Sequence, residues 1–413
     1  MSKPKIIRAC TVPMSIKYFV EGMLPKLKEK YEVVLLSSPG PEMDAAVEKY
    51  GVKGIAVPME RHISLKSDLV ALWRIARVLR RERPQMVHSM TPKAGLLCMM
   101  AAWLTRVPVR VHTFTGLVWP TASGMTRRIL MATDWLTCAC ATHVIPEGEG
   151  VKNDLLSYGI TRKPLQVLGY GNVRGIDLQM FSRRPEVMEK VTQIAQISQK
   201  GTFTFLFVGR IVGDKGINEL VGAFQRLHTE HQKCRLILVG WYEKELDPVS
   251  EATQKVIDSH PHIHAVGTKE GDELLACYAS ADCFVMPSYR EGFPNTVIEA
   301  GAMDLPCIVT GIIGSREIVV NENYNDNDNL DLNLDENGNG NGDECISVKK
   351  NGIVIPSRNE AALYAAMKRM MADDGMRKRM AGNARRMIAE RFEQGYVKQC
   401  LLNFYDDILT YRR

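Results

Sequence analysis

"FLFVGRIVGDKGINELVGAF", Phe205 to Phe224, passes from an apolar run through a short glycine-punctuated loop into apolar residues at helical spacing. A run that short reads as a strand covered on both faces, and the spacing from Ile217 to Leu227 predicts a helix. Strand, tight loop, helix is the repeating step of an open parallel α/β sheet. The loop carries Arg210 and Lys215. Arginine presents a planar fork to phosphate oxygens and lysine a mobile point charge. The adjoining helix start adds backbone N–H groups and a favourable partial charge. The stretch therefore reads as a diphosphate clamp, but not as a P-loop, since G-x-x-x-x-G-K-[ST] occurs nowhere in the chain.

A second stretch, "SYREGFPNTVIEAG" (Ser288–Gly301), follows the apolar run Cys283–Met286. Pro294 suits the first turn of a helix, where a missing N–H leaves no bond unmade. Glu291 is then expected on the loop and Glu299 within the helix, both turned toward the crevice beyond the strand ends, where open α/β sheets bind ligands.

The alternation extends in both directions. Before residue 150, apolar runs at Lys5–Cys10, Glu32–Leu36, Ile55–Val57, Met86–His88, Val109–His112 and His143–Ile145 alternate with helical periodicities. One periodicity, Ile16, Phe19, Val20, Met23, Leu24 and Leu27, reads as a single helix. The pattern restarts at Phe203 and continues through strands at 235–239, 263–266 and 307–309. The chain is too long for one ordinary core. The expected architecture is α/β, with two facing Rossmann-like doubly wound domains and a ligand in the cleft between them. The expected boundaries are an N-terminal acceptor-binding domain at 1–182, a polar linker at 183–200, a donor-binding domain at 201–390, and a C-terminal helix at 391–413 packing back on the first domain.

Composition narrows the functional classes. Hydrophobic residues at 45% suffice for full cores, and charged residues at 24% exclude a largely disordered chain. The net charge of +6 is modest, with basic residues concentrated in the first half, which suits a phosphate-rich partner. No aromatic-interleaved basic module points to nucleic acid. Ten scattered cysteines match no zinc or redox spacing; the pair Cys138 and Cys140 reads as buried thiols of a reducing compartment. The longest apolar run, Ala94–Leu104, is too short to span a bilayer, so any membrane contact is expected to be peripheral, from the cytoplasmic side. The Asn/Asp/Gly-rich tract 321–344 reads as a flexible surface insertion. The calcium-loop alternative, started by Asp335, Asn337, Asn339 and Gly340, meets Ile346 where the bidentate glutamate belongs.

Gly209-Arg210, Lys215-Gly216 and the Glu291/Glu299 pair, in this order on a second α/β domain, resemble the family 4 retaining glycosyltransferases of GT-B fold. "MVHSMTPKAGLLCMMAAWLTRVPVRVHTFTG" and "LGYGNVRGIDLQMF" resemble the PglA-like branch, which extends undecaprenyl-diphosphate-linked sugars. The resemblance implies that Arg210 and Lys215 bind the donor diphosphate and that Glu299 hydrogen-bonds the ribose. It also implies that Glu291 contacts the transferred sugar, that the backbone at Phe293, Pro294, Asn295 and Thr296 lies along diphosphate and sugar, and that His112 reaches the donor sugar. Arg210 and Lys215 would replace a metal ion, so no cofactor is expected, and the resemblance implies a front-face mechanism without a protein nucleophile. His88 and the loop Pro13-Met14-Ser15, which lacks the Gly-Gly pair many relatives carry, are acceptor-side candidates.

The expected partners are thus a nucleotide-sugar donor and a lipid-linked saccharide acceptor. An anionic membrane surface joins them through the helix expected at 67–83, with Leu69, Leu72, Trp73, Ala76 and Leu79 on one side and Arg74, Arg77, Arg80, Arg81 and Arg83 largely elsewhere; a solvated helix face is the alternative reading of the same pattern. A nucleotide-sugar 2-epimerase of the same fold, or a non-catalytic nucleotide-sugar-binding subunit, are the rival readings.

Overall fold

A computed structural model describes residues 3–60, 64–193, 201–243, 247–320 and 345–410. The tract 321–344, with the insertion and calcium-loop readings placed on it, lies outside the described residues. The chain divides into two compact units, Met1–Gly175 with Gln394–Arg413, and Ile176–Glu393.

The first unit is built on six parallel strands: β1 (Lys5–Ala9), β2 (Glu32–Ser37), β3 (Lys53–Ala56), β4 (Met86–Met90), β5 (Val109–Phe114) and β6 (His143–Pro146). Their spatial order is β3-β2-β1-β4-β5-β6, so the chain reverses its direction of travel at the β1/β4 boundary. Right-handed crossovers put the helices that follow β1 and β2 on one face and those preceding β4, β5 and β6 on the other. The terminal helix, Gln394–Thr410, contributes Leu401, Leu402, Phe404 and Tyr405 to the same core as Ile6, Cys10, Leu24 and Leu27. The single helix expected over residues 16–27 is instead two, Pro13–Phe19 and Leu24–Lys30, joined by a turn at Glu21–Met23. Pro25 explains the break: it has no N–H to donate back to Glu21 and would crowd that carbonyl, so it is accommodated in the first turn of a new helix.

The second unit holds seven strands: β7 (Phe203–Val208), β8 (Cys234–Val239), β9 (Ile263–Ala265), β10 (Cys283–Met286), β11 (Cys307–Thr310), β12 (Ser347–Val348) and β13 (Gly352–Ile355). Their order is β12-β13-β11-β10-β7-β8-β9, with only β12 antiparallel. The central strands are mostly apolar because helices cover both faces; the exceptions, Arg235 on β8 and Thr204 on β7, bond each other at 2.8 Å. The reversal point lies between β7 and β10, which are hydrogen-bonded neighbours. The expected linker at 183–200 requires correction over 183–193, while 194–200 lies outside the described residues. Pro185–Gln193 is a helix of the second unit with Val187 fully buried. Arg183 and Arg184 anchor its start, donating to the carbonyls of Ala279 and Met303 and to Asp272. The signal was present in the sequence: Pro185 at a helix start, with Val187 and Val191 four residues apart.

Candidate functional site

The β7/β10 boundary of the second unit brings together two loops distant in sequence. After β7 the chain runs extended through Arg210 and Ile211, whose N–H donates to the Trp241 carbonyl at 2.9 Å, and then makes one tight turn at Gly213–Lys215. Gly216 closes that turn at φ +69°, and a Cβ there would meet the Pro287 carbonyl oxygen at 2.1 Å. Glycine is therefore required for the loop after β7 to lie against the end of β10. The helix Ile217–Glu230 starts at once. Gly240, at the end of β8, makes a similar approach: a Cβ would stand 1.8 Å from the Gly209 carbonyl oxygen.

Lys215 and Glu291 meet here, with Nζ 2.5 Å from Oε1 and both side chains only about 15% exposed (15% and 16%). Arg210 donates from Nη1 to Glu243 Oε2 at 2.5 Å and lies 3.9 Å from Asp214. Asp214 stitches the two loops together. Its N–H donates to Asp247 Oδ2 at 2.5 Å, its carbonyl accepts from the Tyr289 N–H at 2.8 Å, and its carboxylate accepts from Arg290 at 3.2 Å. Asp214, Glu243, Asp247 and Arg290 were not foreseen. A carboxylate that neutralises a clamp cation carries no sequence signal of its own, although Asp214 lies inside the quoted loop.

The other residues expected on the donor side differ in their burial and partners. Phe293 is buried, with its ring edge-on to Phe392 at 5.4 Å. Pro294 is the N-cap, one position before the first turn where it was expected, and Asn295 opens the helix Asn295–Ala302. Thr296 Oγ1 lies 3.5 Å from Met286 Sδ. Glu299 stands inside that helix as expected, 7% exposed, and accepts from the Tyr278 hydroxyl at 3.0 Å. That bond fixes the carboxylate's orientation and offsets part of its burial cost.

In the first unit, His112 is on β5, 1% exposed, with Nδ1 2.9 Å from Ser89 Oγ and its ring edge-on to Phe114. Burial holds its pKa down at about 3, so the ring is neutral. His88 requires correction as an acceptor-side group. It is 1% exposed, with Nδ1 bonded to the Tyr405 hydroxyl at 2.5 Å and Nε2 to Thr113 Oγ1 at 2.7 Å. Burial first, then the Arg8 charge, holds it neutral. Arg8 donates to the same Tyr405 hydroxyl at 2.6 Å, so His88 and Arg8 together fasten the C-terminal helix to the sheet. The glycine-free loop after β1 is fixed by Thr11, whose N–H and hydroxyl both bond Thr91 Oγ1, at 3.1 and 2.8 Å. Thr91 itself holds φ at +71°, a conformation a β-branched residue rarely adopts. Pro13 is buried at the head of the following helix; Met14 is exposed and Ser15 partly so.

Two doubly wound units, the second with paired cations and carboxylates at its reversal point, define an open α/β architecture of the class that binds ligands beyond its strand ends. Comparison with known proteins agrees at the level of family. Residues 18–171 match the model described as Glycosyl transferase 4-like domain, and residues 190–327 match Glycosyl transferases group 1. The chain belongs to this glycosyltransferase family, and its fold is GT-B. Among its relatives is the capsular polysaccharide biosynthesis glycosyltransferase CapM of Staphylococcus aureus, 27% identical over 99% of this chain and 98% of CapM. Another is the N,N'-diacetylbacillosaminyl-diphospho-undecaprenol alpha-1,3-N-acetylgalactosaminyltransferase of Campylobacter jejuni, 22% identical over 96% of each chain. The crystal structure of Anabaena HepE in complex with UDP and glucose shares the fold at a TM-score of 0.77 and 15% identity, covering 98% of this chain and all of that one.

Proposed function

We propose that the chain transfers a sugar from a UDP-sugar to a saccharide carried on a lipid diphosphate, with retention of anomeric configuration. The setting is assembly of a bacterial surface polysaccharide or glycan at the cytoplasmic face of the membrane. One observation carries this reading: Lys215 and Glu291 are in contact at the sheet's reversal point, with Arg210 on the same loop. The similarity to CapM and to an enzyme acting on diphospho-undecaprenol supports the choice of acceptor.

The residues suit the chemistry. As the bond between the anomeric carbon and the diphosphate breaks, negative charge grows on the leaving oxygen. The Arg210 guanidinium and Lys215 ammonium stabilise it without a metal ion. Donor binding draws Lys215 from Glu291 to the diphosphate and leaves Glu291 free to accept from the sugar's hydroxyls. The departing phosphate oxygen takes the proton of the acceptor hydroxyl, which bonds the anomeric carbon from the same face. Glu291 is not assigned as a nucleophile, because the double displacement of retaining hydrolases uses a second nearby carboxyl acid. His112, neutral and buried, acts as a hydrogen-bonding group and not as an acid. Glu299, held by Tyr278, is the ribose acceptor.

Incubation with a panel of UDP-sugars and membrane lipid extract tests the reading. The expected result is label moving into the lipid fraction, insensitive to EDTA, with the donor's anomeric configuration kept in the product. Interconversion of donor epimers without transfer would replace it with an epimerase, and donor binding without turnover with a binding subunit.

A further inference from the structure

The helix Leu65–Glu82 of the first unit shows an outward stripe that nothing in the donor site uses. Residues 65, 66, 69, 70, 73, 74, 77, 80 and 81 are exposed, and they sort along the axis. The first half presents Leu65 at 77%, Leu69 at 66% and Trp73 at 60% exposure, with Val70 and the single cation Lys66 beside them; the second presents Arg74, Arg77, Arg80 and Arg81. No acid lies on the stripe. The helix's own acids turn inward, Asp68 to Lys93 at 2.6 Å and Glu82 to Lys53 at 2.7 Å. Among the described residues Arg74, Arg77 and Arg80 form no ion pair, and Arg77 stacks over Trp73 at 5.6 Å. Beside them a groove of about 760 Å³ runs between this helix and the edge strand β3, lined by Ile55, Val57, Trp73, Arg74, Arg77 and Arg80.

The same layer continues the apolar surface. The helices Pro92–Leu104 and Gly124–Cys140 pack successively beside Leu65–Glu82 on one face of the sheet. They expose Trp103 and Leu104, then Met125, Ile129 and Trp135. Three of the chain's five tryptophans thus sit on one helical layer in water, a placement typical of side chains at a bilayer interface.

We propose that this layer is a membrane-docking face. Leu65, Leu69 and Trp73 enter the headgroup–acyl boundary, and the groove's arginines hold the phosphates of anionic lipids. The combination selects a bilayer over a protein partner. A stripe that is mainly apolar in its first half, cationic in its second and without an acid along its length matches a surface that is apolar below and anionic above. The inference stands on this surface alone and does not depend on which sugar or acceptor the donor site serves.

Co-sedimentation of the full chain with vesicles of phosphatidylcholine, alone or with about a third phosphatidylglycerol, tests it. The anionic vesicles should retain at least tenfold more protein, and added salt should reverse this, since the headgroup attraction is screened. Each basic side chain near an anionic surface is worth roughly fivefold in partitioning, so Arg74→Glu/Arg77→Glu/Arg80→Glu should lower retention on the order of a hundredfold. The triple variant's melting curve checks its fold. Leu69→Ser/Trp73→Ser supplies an independent loss through the apolar half, and brominated lipids should quench wild-type tryptophan fluorescence. Equal retention on neutral and anionic vesicles, no retention on either, or binding unchanged in both variants would overturn the proposal.

Discussion

Replacing either member of the Lys215–Glu291 pair should separate donor binding from transfer. At 2.5 Å and an effective dielectric of about 20, the gross attraction is about 7 kcal/mol. Desolvation of two side chains each about 15% exposed cancels much of it. A single deletion leaves one charge partly buried and unpaired, and should cost the second unit about 1–3 kcal/mol. For a unit of this size that lowers the melting temperature by roughly 2–12 °C. The double variant Lys215→Ala/Glu291→Ala should lose less than the sum, with a coupling of about 1–3 kcal/mol. Toward UDP the two singles should diverge. Lys215→Ala removes a charge-assisted contact worth about 1.5–3 kcal/mol, or roughly 10–150-fold in affinity. Glu291→Ala removes the carboxylate that competes with the diphosphate, so UDP affinity should hold or rise while transfer collapses. Calorimetric titration of UDP alongside a transfer assay reads both. If Glu291→Ala weakens UDP binding as much as Lys215→Ala does, the exchange of counter-ions is wrong.

Three further outcomes follow from the structure. Unfolded histidines titrate near pH 6.5, whereas folded His88 and His112 are held neutral, His112 down to about pH 3. Their contribution is complete above about pH 6.5 and is lost as pH falls, at up to about 1.4 kcal/mol per pH unit for each ring. Urea midpoints at pH 7.5 and 5.5 should show the loss, and His112→Gln should shrink it; an unchanged difference would refute the assignment. Asp134 works in the opposite sense, since burial raises its pKa to about 7 despite the Trp119 indole N–H donated at 3.1 Å. Its charge destabilises as pH rises from 4 toward 7, so Asp134→Asn, which can still accept from Trp119, should raise stability at pH 8 by about 1–4 kcal/mol. Gly216→Ala places a methyl against the Pro287 carbonyl at a left-handed φ; it should destabilise by at least about 1–2 kcal/mol and weaken UDP binding with Lys215 unchanged.

The strands were legible because parallel sheets bury both faces and their sequences become apolar runs: "FLFV" and "CFVM" required no other reading. The two loops that carry charge follow from that register, which is how Glu291 and Lys215, 76 positions apart in sequence, could be expected at one place. What escaped were interactions without a local pattern. The partners of the clamp cations, Glu243 and Asp214, come from a neighbouring strand end and the loop itself. His88 looked like a site residue because it ends a strand. Its burial follows from Tyr405, 317 positions away, whose role depends on where the last helix docks. The groove beside Trp73 requires β3 as its second wall, and no periodicity along Leu65–Glu82 reveals that wall.

Diffraction from a crystal soaked with UDP tests the central claim most directly. The account predicts diphosphate oxygens within about 3 Å of Arg210 and Lys215, with Lys215 drawn away from Glu291. Nucleotide bound elsewhere, or bound with the Lys215–Glu291 contact intact, would contradict it.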